Sequence, residues 1–120
     1  MGKEIKVIDY DSEKDILFIS NDESVKSSID IGNFVLDVNQ NNFIGGIEIL
    51  NASENLGIEK NILKRIKSIK MAVNYKTNNV YVLLAISFKQ NNKEVNISVP
   101  LNIRLGNNKQ PMKEVLECKC

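Results

Sequence analysis

Residues 67–103 read KSIKMAVNYKTNNVYVLLAISFKQNNKEVNISVPLNI, and they contain three runs of period two. In the first, Ile69, Met71, Val73 and Tyr75 share one side while Lys70, Ala72 and Asn74 take the other, the pattern of a strand with one buried face. In the second, Val80, Val82, Leu84, Ile86 and Phe88 alternate with Tyr81, Leu83, Ala85 and Ser87. Both sides are largely apolar, which predicts a central strand. In the third, Val95, Ile97, Val99, Leu101 and Ile103 alternate with Asn96, Ser98, Pro100 and Asn102. Pro100 cannot donate to a ladder, so this strand is expected at an edge or at a bulge. Asn78-Asn79 and Asn91-Asn92 separate the runs. Asparagine tolerates the left-handed backbone of tight hairpins, and such short turns force an antiparallel meander.

Outward from this meander the same grammar recurs. Ile5 to Tyr10 and Ile16 to Ser20 flank the polar segment Asp11-Ser12-Glu13-Lys14-Asp15 and predict a hairpin. Phe34 to Val38 and Phe43 to Leu50 predict another about Asn39 to Asn42, with Gly45-Gly46 marking a bulge or a close backbone approach. The intervening Asn21 to Gly32 reads as a long loop. Helix signals gather between Ser53 and Ser68. Ser53 is placed to cap, Glu54 and Glu59 precede Lys60, Lys64, Arg65 and Lys67, and Ile58, Ile62 and Ile66 recur at helical spacing. An amphipathic helix over about 54–66 is expected, weakened at its start by Gly57. A short helix from Pro111 to Glu117, with Met112, Val115 and Leu116 on one side, is a further expectation. The fold expected is a single α+β domain over residues 1–120: one antiparallel sheet of six or seven strands built from hairpins, crossed by the 54–66 helix.

Composition bounds the chemistry. The chain has 120 residues, 42% hydrophobic and 26% charged, with a net charge of +1. It is expected to fold around one aliphatic core, and no global field recruits nucleic acid or an anionic membrane. Histidine is absent. Histidine-paired nucleophiles, histidine-ligated metals and imidazole acid–base catalysis are therefore excluded within these residues. The longest uncharged apolar run, Val80 to Phe88, is too short for a membrane helix, which needs about 20 residues. With no signal-like N-terminal run, a cytoplasmic location is expected. Cys118 and Cys120 stand one residue apart near the C-terminus, too close for a bridge that would staple a fold, so no disulfide framework and no cofactor are expected.

Carboxylates are the remaining reactive groups. Asp9, Asp11, Glu13 and Asp15 fall at alternate positions, but an EF-hand loop would need glycine and glutamate where Lys14 and Ser20 stand. They read instead as a solvated turn whose aspartates cap backbone amides. Asp37 and Glu48 lie in predicted strands, where a carboxylate is costly unless paired or exposed. The alternation of Phe34, Leu36 and Val38 with Val35 and Asp37 places them on a solvent face. As an alternative, Asp37 and Glu48 with Asp11 or Asp15 could hold a divalent cation. Lys60, Lys64, Arg65 and Lys67 offer a weaker nucleic-acid alternative, diluted by Glu59 and the balanced charge.

Tyr10-Asp11, Asp15-Ile16-Leu17-Phe18-Ile19, Phe34-Val35-Leu36-Asp37 and above all the run from Ile44 to Ser53, IGGIEILNAS, carry a resemblance. Residues 10–53 resemble the family catalogued as domain of unknown function 2283. The resemblance implies a small, cytoplasmic, β-rich prokaryotic protein with no assigned activity and, by analogy, an antitoxin-like or other binding role. Tyr10, Asp11, Asp15, Asp37, Gly46 and Glu48 are the positions it would single out. They serve equally well as turn and register residues of a hairpin scaffold.

The expectation is therefore a non-enzymatic protein-interaction module. Tyr81, Leu83 and Ala85, the second apolar side of the Val80 to Phe88 strand, are its candidate surface, because that side needs more cover than one helix can give. The expected partner is another protein or a second copy in a homodimer. Neither membrane nor nucleic acid is expected.

Overall fold

The computed structural model describes residues 2–105. Nine strands occur among them: β1 (Lys3–Glu4), β2 (Val7–Asp11), β3 (Ile16–Ser20), β4 (Val25–Ile31), β5 (Phe34–Asn39), β6 (Ile44–Ile49), β7 (Ile66–Tyr75), β8 (Asn79–Gln90) and β9 (Lys93–Arg104). Two helical turns, α1 (Ala52–Leu56) and α2 (Lys60–Leu63), join β6 to β7. All pairings are antiparallel, as the period-two patterns require.

One sheet was expected and there are two. The first has the order β1-β7-β8-β9 and the second the order β2-β3-β6-β5-β4. Their inner faces share one core, to which Leu17, Ile19, Leu36 and Ile47 contribute from the second sheet and Ile69, Val82, Leu84 and Ile103 from the first. The two layers bury each other's apolar side, and the cover assigned to a helix comes from a sheet. At one side the chain passes between the layers without a turn. Ile5 N–H donates to Ile69 O at 2.8 Å, extending the β1 ladder, and Lys6 N–H donates to Ser20 O at 3.2 Å, extending the β2 ladder.

The meander 67–103 forms as expected, with β8 between β7 and β9 and Pro100 on the edge strand β9. Asn91 and Asn92 take φ of 56° and 65° in the β8–β9 turn, and Asn42 takes 67° in the β5–β6 turn. Asn78-Asn79 departs from this rule: Asn79 already belongs to β8, and the turn closes through Lys76 N–H to Asn79 O at 2.9 Å. Gly45 is the extra residue of a bulge, since Asp37 pairs with Gly46 but Val38 pairs with Ile44.

Two expectations are corrected. Asn21 to Gly32 is not a loop: β4 occupies most of it and pairs with β5 along its length, inserting Ile29 into the core. The signal was masked by Lys26, Ser27, Ser28 and Asp30, which suit an edge strand. Nor does one helix run over 54–66. Gly57 adopts φ 67° and ends α1 after five residues, and Glu59 is extended before α2 starts again for four. Ile66 then belongs to β7. Ala52, Leu56, Ile58 and Leu63 still join the core. The helix expected at 111–117 lies outside the described residues.

Candidate functional site

The positions singled out at the start of the chain converge on Asp15. It occupies the turn between β2 and β3 at φ 58°. Tyr10 donates its hydroxyl to Asp15 Oδ1 at 2.6 Å. On the other side, Ser53 donates its backbone N–H to Oδ1 at 3.0 Å and its hydroxyl to Oδ2 at 2.7 Å, while Ala52 N–H donates to Asp15 O at 2.8 Å. Ser53 therefore does not cap α1. Asp15 does so from 38 residues away, satisfying the N–H groups that the first turn of a helix leaves open. Partial burial would raise its pKa, but the hydrogen bonds from Tyr10 and Ser53 and the charge of Lys60 outweigh it, so the carboxyl is held below the ordinary range. Burial and the adjacent carboxylate push the Tyr10 phenol the other way, keeping it a neutral donor. Asp11 accepts the backbone N–H groups of Glu13 and Lys14 at 3.0 and 3.1 Å, an ordinary Asx turn.

Asp37, Gly46 and Glu48 lie on the outer face of the second sheet. Asp37 pairs across β5 and β6 with Gly46, Glu48 pairs with Val35, and the two carboxylates are diagonal neighbours. Asp37 Oδ1 accepts the Ser28 hydroxyl at 2.8 Å. A Cβ at Gly46 would stand 3.1 Å from Ile19 O and 3.3 Å from Asp37 Oδ2, so the glycine makes room for the Asp37 carboxylate over β6. Asp11 and Asp15 sit at the β2–β3 turn, each with its own partners. Among the described residues no group of three or more acidic or cysteine side chains is placed to hold a metal ion.

Tyr81, Leu83 and Ala85 point away from the core on the outer face of the first sheet. Tyr81 is 43% and Leu83 47% exposed, unusual for large apolar side chains on a sheet interior strand. The register adds partners that sequence reasoning missed: Ala72 opposite Leu83 from β7, and Pro100 opposite it from β9. Together with Tyr81 they line an open groove of about 650 Å³, flanked by Asn74 and Asn102. The alternate residues of the first and third runs carried that signal, since the hairpin turns fix which of them stand beside Leu83.

A second concavity of about 460 Å³ opens where the two sheets part, lined by Lys3, Glu23, Asn39, Phe43, Met71 and Tyr75. There the Tyr75 hydroxyl accepts the Ile44 N–H at 2.8 Å, tying the first sheet to the second. No helix among the described residues is long and apolar enough to cross a membrane.

The family model described as "Protein of unknown function (DUF2283)" matches residues 7–53. Those residues are β2 to β6 and the start of α1, the whole of the second sheet. A protein of Methanosarcina mazei with the provisional name hypoxanthine phosphoribosyltransferase is 33% identical over 88 residues, covering 72% of each chain. Equal coverage means that the two chains are of nearly equal length. No solved structure matches the chain.

Proposed function

Residues 7–53 belong to the DUF2283 family, and for the chain as a whole we propose a non-enzymatic protein-interaction module that docks its partner on the outer face of β7, β8 and β9. One observation carries the reading: Tyr81 and Leu83 stand about half exposed beside Ala72 and Pro100, on a sheet whose other face is already fully used in the core. Large side chains left this way in a contiguous patch mark interaction surfaces. The partner's contact surface is uncharged and apolar at its centre, matching the groove. An antitoxin-like role is one form this takes.

The positions that the resemblance singles out support the same reading by their use elsewhere. Tyr10, Asp11 and Asp15 are spent on a turn and a helix cap, and Asp37 and Gly46 on the pairing of β5 with β6. The activity in the relative's name stays with the relative. Phosphate-handling sites commonly use a glycine-rich loop feeding a helix N-terminus, whereas α1 and α2 are five and four residues long and Gly45-Gly46 lies within β6.

The test is reconstitution from purified components of the full chain with a protein that co-purifies with it. Leu83→Asp should abolish the complex, whereas Glu48→Gln, on the opposite layer, should leave it intact. Loss with Glu48→Gln and retention with Leu83→Asp would move the site to the other sheet and overturn the proposal.

A further inference from the structure

We propose that the occupant of the β7–β9 outer face is a second copy of this chain, stacked face to face in a twofold dimer; this rests on the docking surface proposed above and specifies its partner. Charge is the first argument. The centre of the face, formed by Ala72, Tyr81, Leu83, Ala85, Ser98 and Pro100, carries no charged side chain, and Lys70, opposite Ala85, is the charge that borders it on β7. An uncharged centre meets its own copy without like-charge repulsion, which is what an isologous interface demands.

The rim adds direction. Along β9, Glu94 lies at one end of the outer face and Arg104 at the other, sharing the alternation of Ser98, Pro100 and Asn102. A twofold axis lying in the interface across the strands reverses the strand ends. It sets Glu94 of each copy toward Arg104 of its mate and places the stripe from Tyr81 to Ala85 near the axis. An axis parallel to the strands would lay β9 over β7 of the mate, with Arg104 near the Tyr75 end and away from Glu94, so the charges select the first arrangement.

Area sets the strength. One strand of ten residues and two of twelve, at about 3.4 Å per residue and about 4.8 Å apart, present roughly 550 Å² per copy. A pair would bury about 1,100 Å², close to the lower bound of specific interfaces, so a micromolar dimer is expected rather than an obligate one.

Sedimentation equilibrium on the full chain, from micromolar to hundreds of micromolar, tests this. Wild type should follow a monomer–dimer equilibrium. Leu83→Asp, an exposed position that leaves the core intact, should weaken it about tenfold or more with unchanged circular dichroism. Arg104→Glu alone should weaken it several-fold, and adding Glu94→Arg should restore it. A monomer at every concentration, or a dimer indifferent to Leu83→Asp, overturns the proposal. A chain ended after Leu105 that dimerises where the full chain does not would make residues 106–120 the occupant and overturn it as well. If the full chain stays monomeric yet binds a different purified protein in a Leu83-dependent way, the interaction module stands and only the second copy is lost.

Discussion

Asp15 holds a positive φ that costs a non-glycine residue about 1 kcal/mol, and it recovers that cost through one hydrogen bond within its hairpin and three that bind the turn to the start of a helix. Asp15→Ala should destabilise the chain by about 2–3 kcal/mol, since the N–H of Ser53 and the hydroxyl of Tyr10 lose a charged acceptor; denaturant unfolding measures it. The sign of the pH effect follows from the lowered pKa of Asp15. The carboxylate's contribution is complete above the unfolded value of about 4 and is lost as pH falls through the lower folded value, so the acid limb of stability should flatten in Asp15→Asn. Asp11 and Asp15 were legible as turn residues because their signal is local. The pairing of Asp15 with Ser53 was not, because Ser53 carries the same local signal for capping its own helix as for being capped by another residue.

Glycines decide two elements, β6 and α1. At Gly46 the neighbouring strand's Ile19 O leaves little room, and Gly46→Ala should cost about 1–3 kcal/mol through displacement of β3 or of Asp37. Gly57 faces open space, and its φ of 67° alone resists a side chain, so Gly57→Ala should cost about 1 kcal/mol and leave the neighbouring strands undisturbed. Comparing the two by thermal unfolding separates crowding from backbone strain. The bulge at Gly45-Gly46 could be read in advance because glycine inside a period-two run has few other uses. The interruption of the helix could not, because Ile58, Ile62 and Ile66 keep helical spacing even though Ile66 ends in a strand.

At the scale of the whole molecule, hairpins are local and sheets are not. Each turn-linked pair was readable from alternation and turn residues. The partition into two layers depends on β1 pairing with β7 and β3 with β6, contacts between distant segments that no local pattern encodes. The second layer changes what β8 means: its two apolar sides predicted a central strand with more apolar surface than one helix can cover, and the second sheet covers one side and leaves the other open. The outer groove is the resulting surplus. Because the family match spans one sheet and the groove lies on the other, the proposed docking face belongs to the part of this chain that the family description does not cover.

That claim is tested most directly by following backbone amide resonances of the full chain as it is concentrated or titrated with its partner. Shifts should be confined to the outer face, at Ala72, Tyr81, Leu83, Ala85 and Ser98, with Asp37, Glu48 and the Asp15 turn unmoved. Shifts centred on Asp37 and Glu48, with the Leu83 face silent, would contradict that claim.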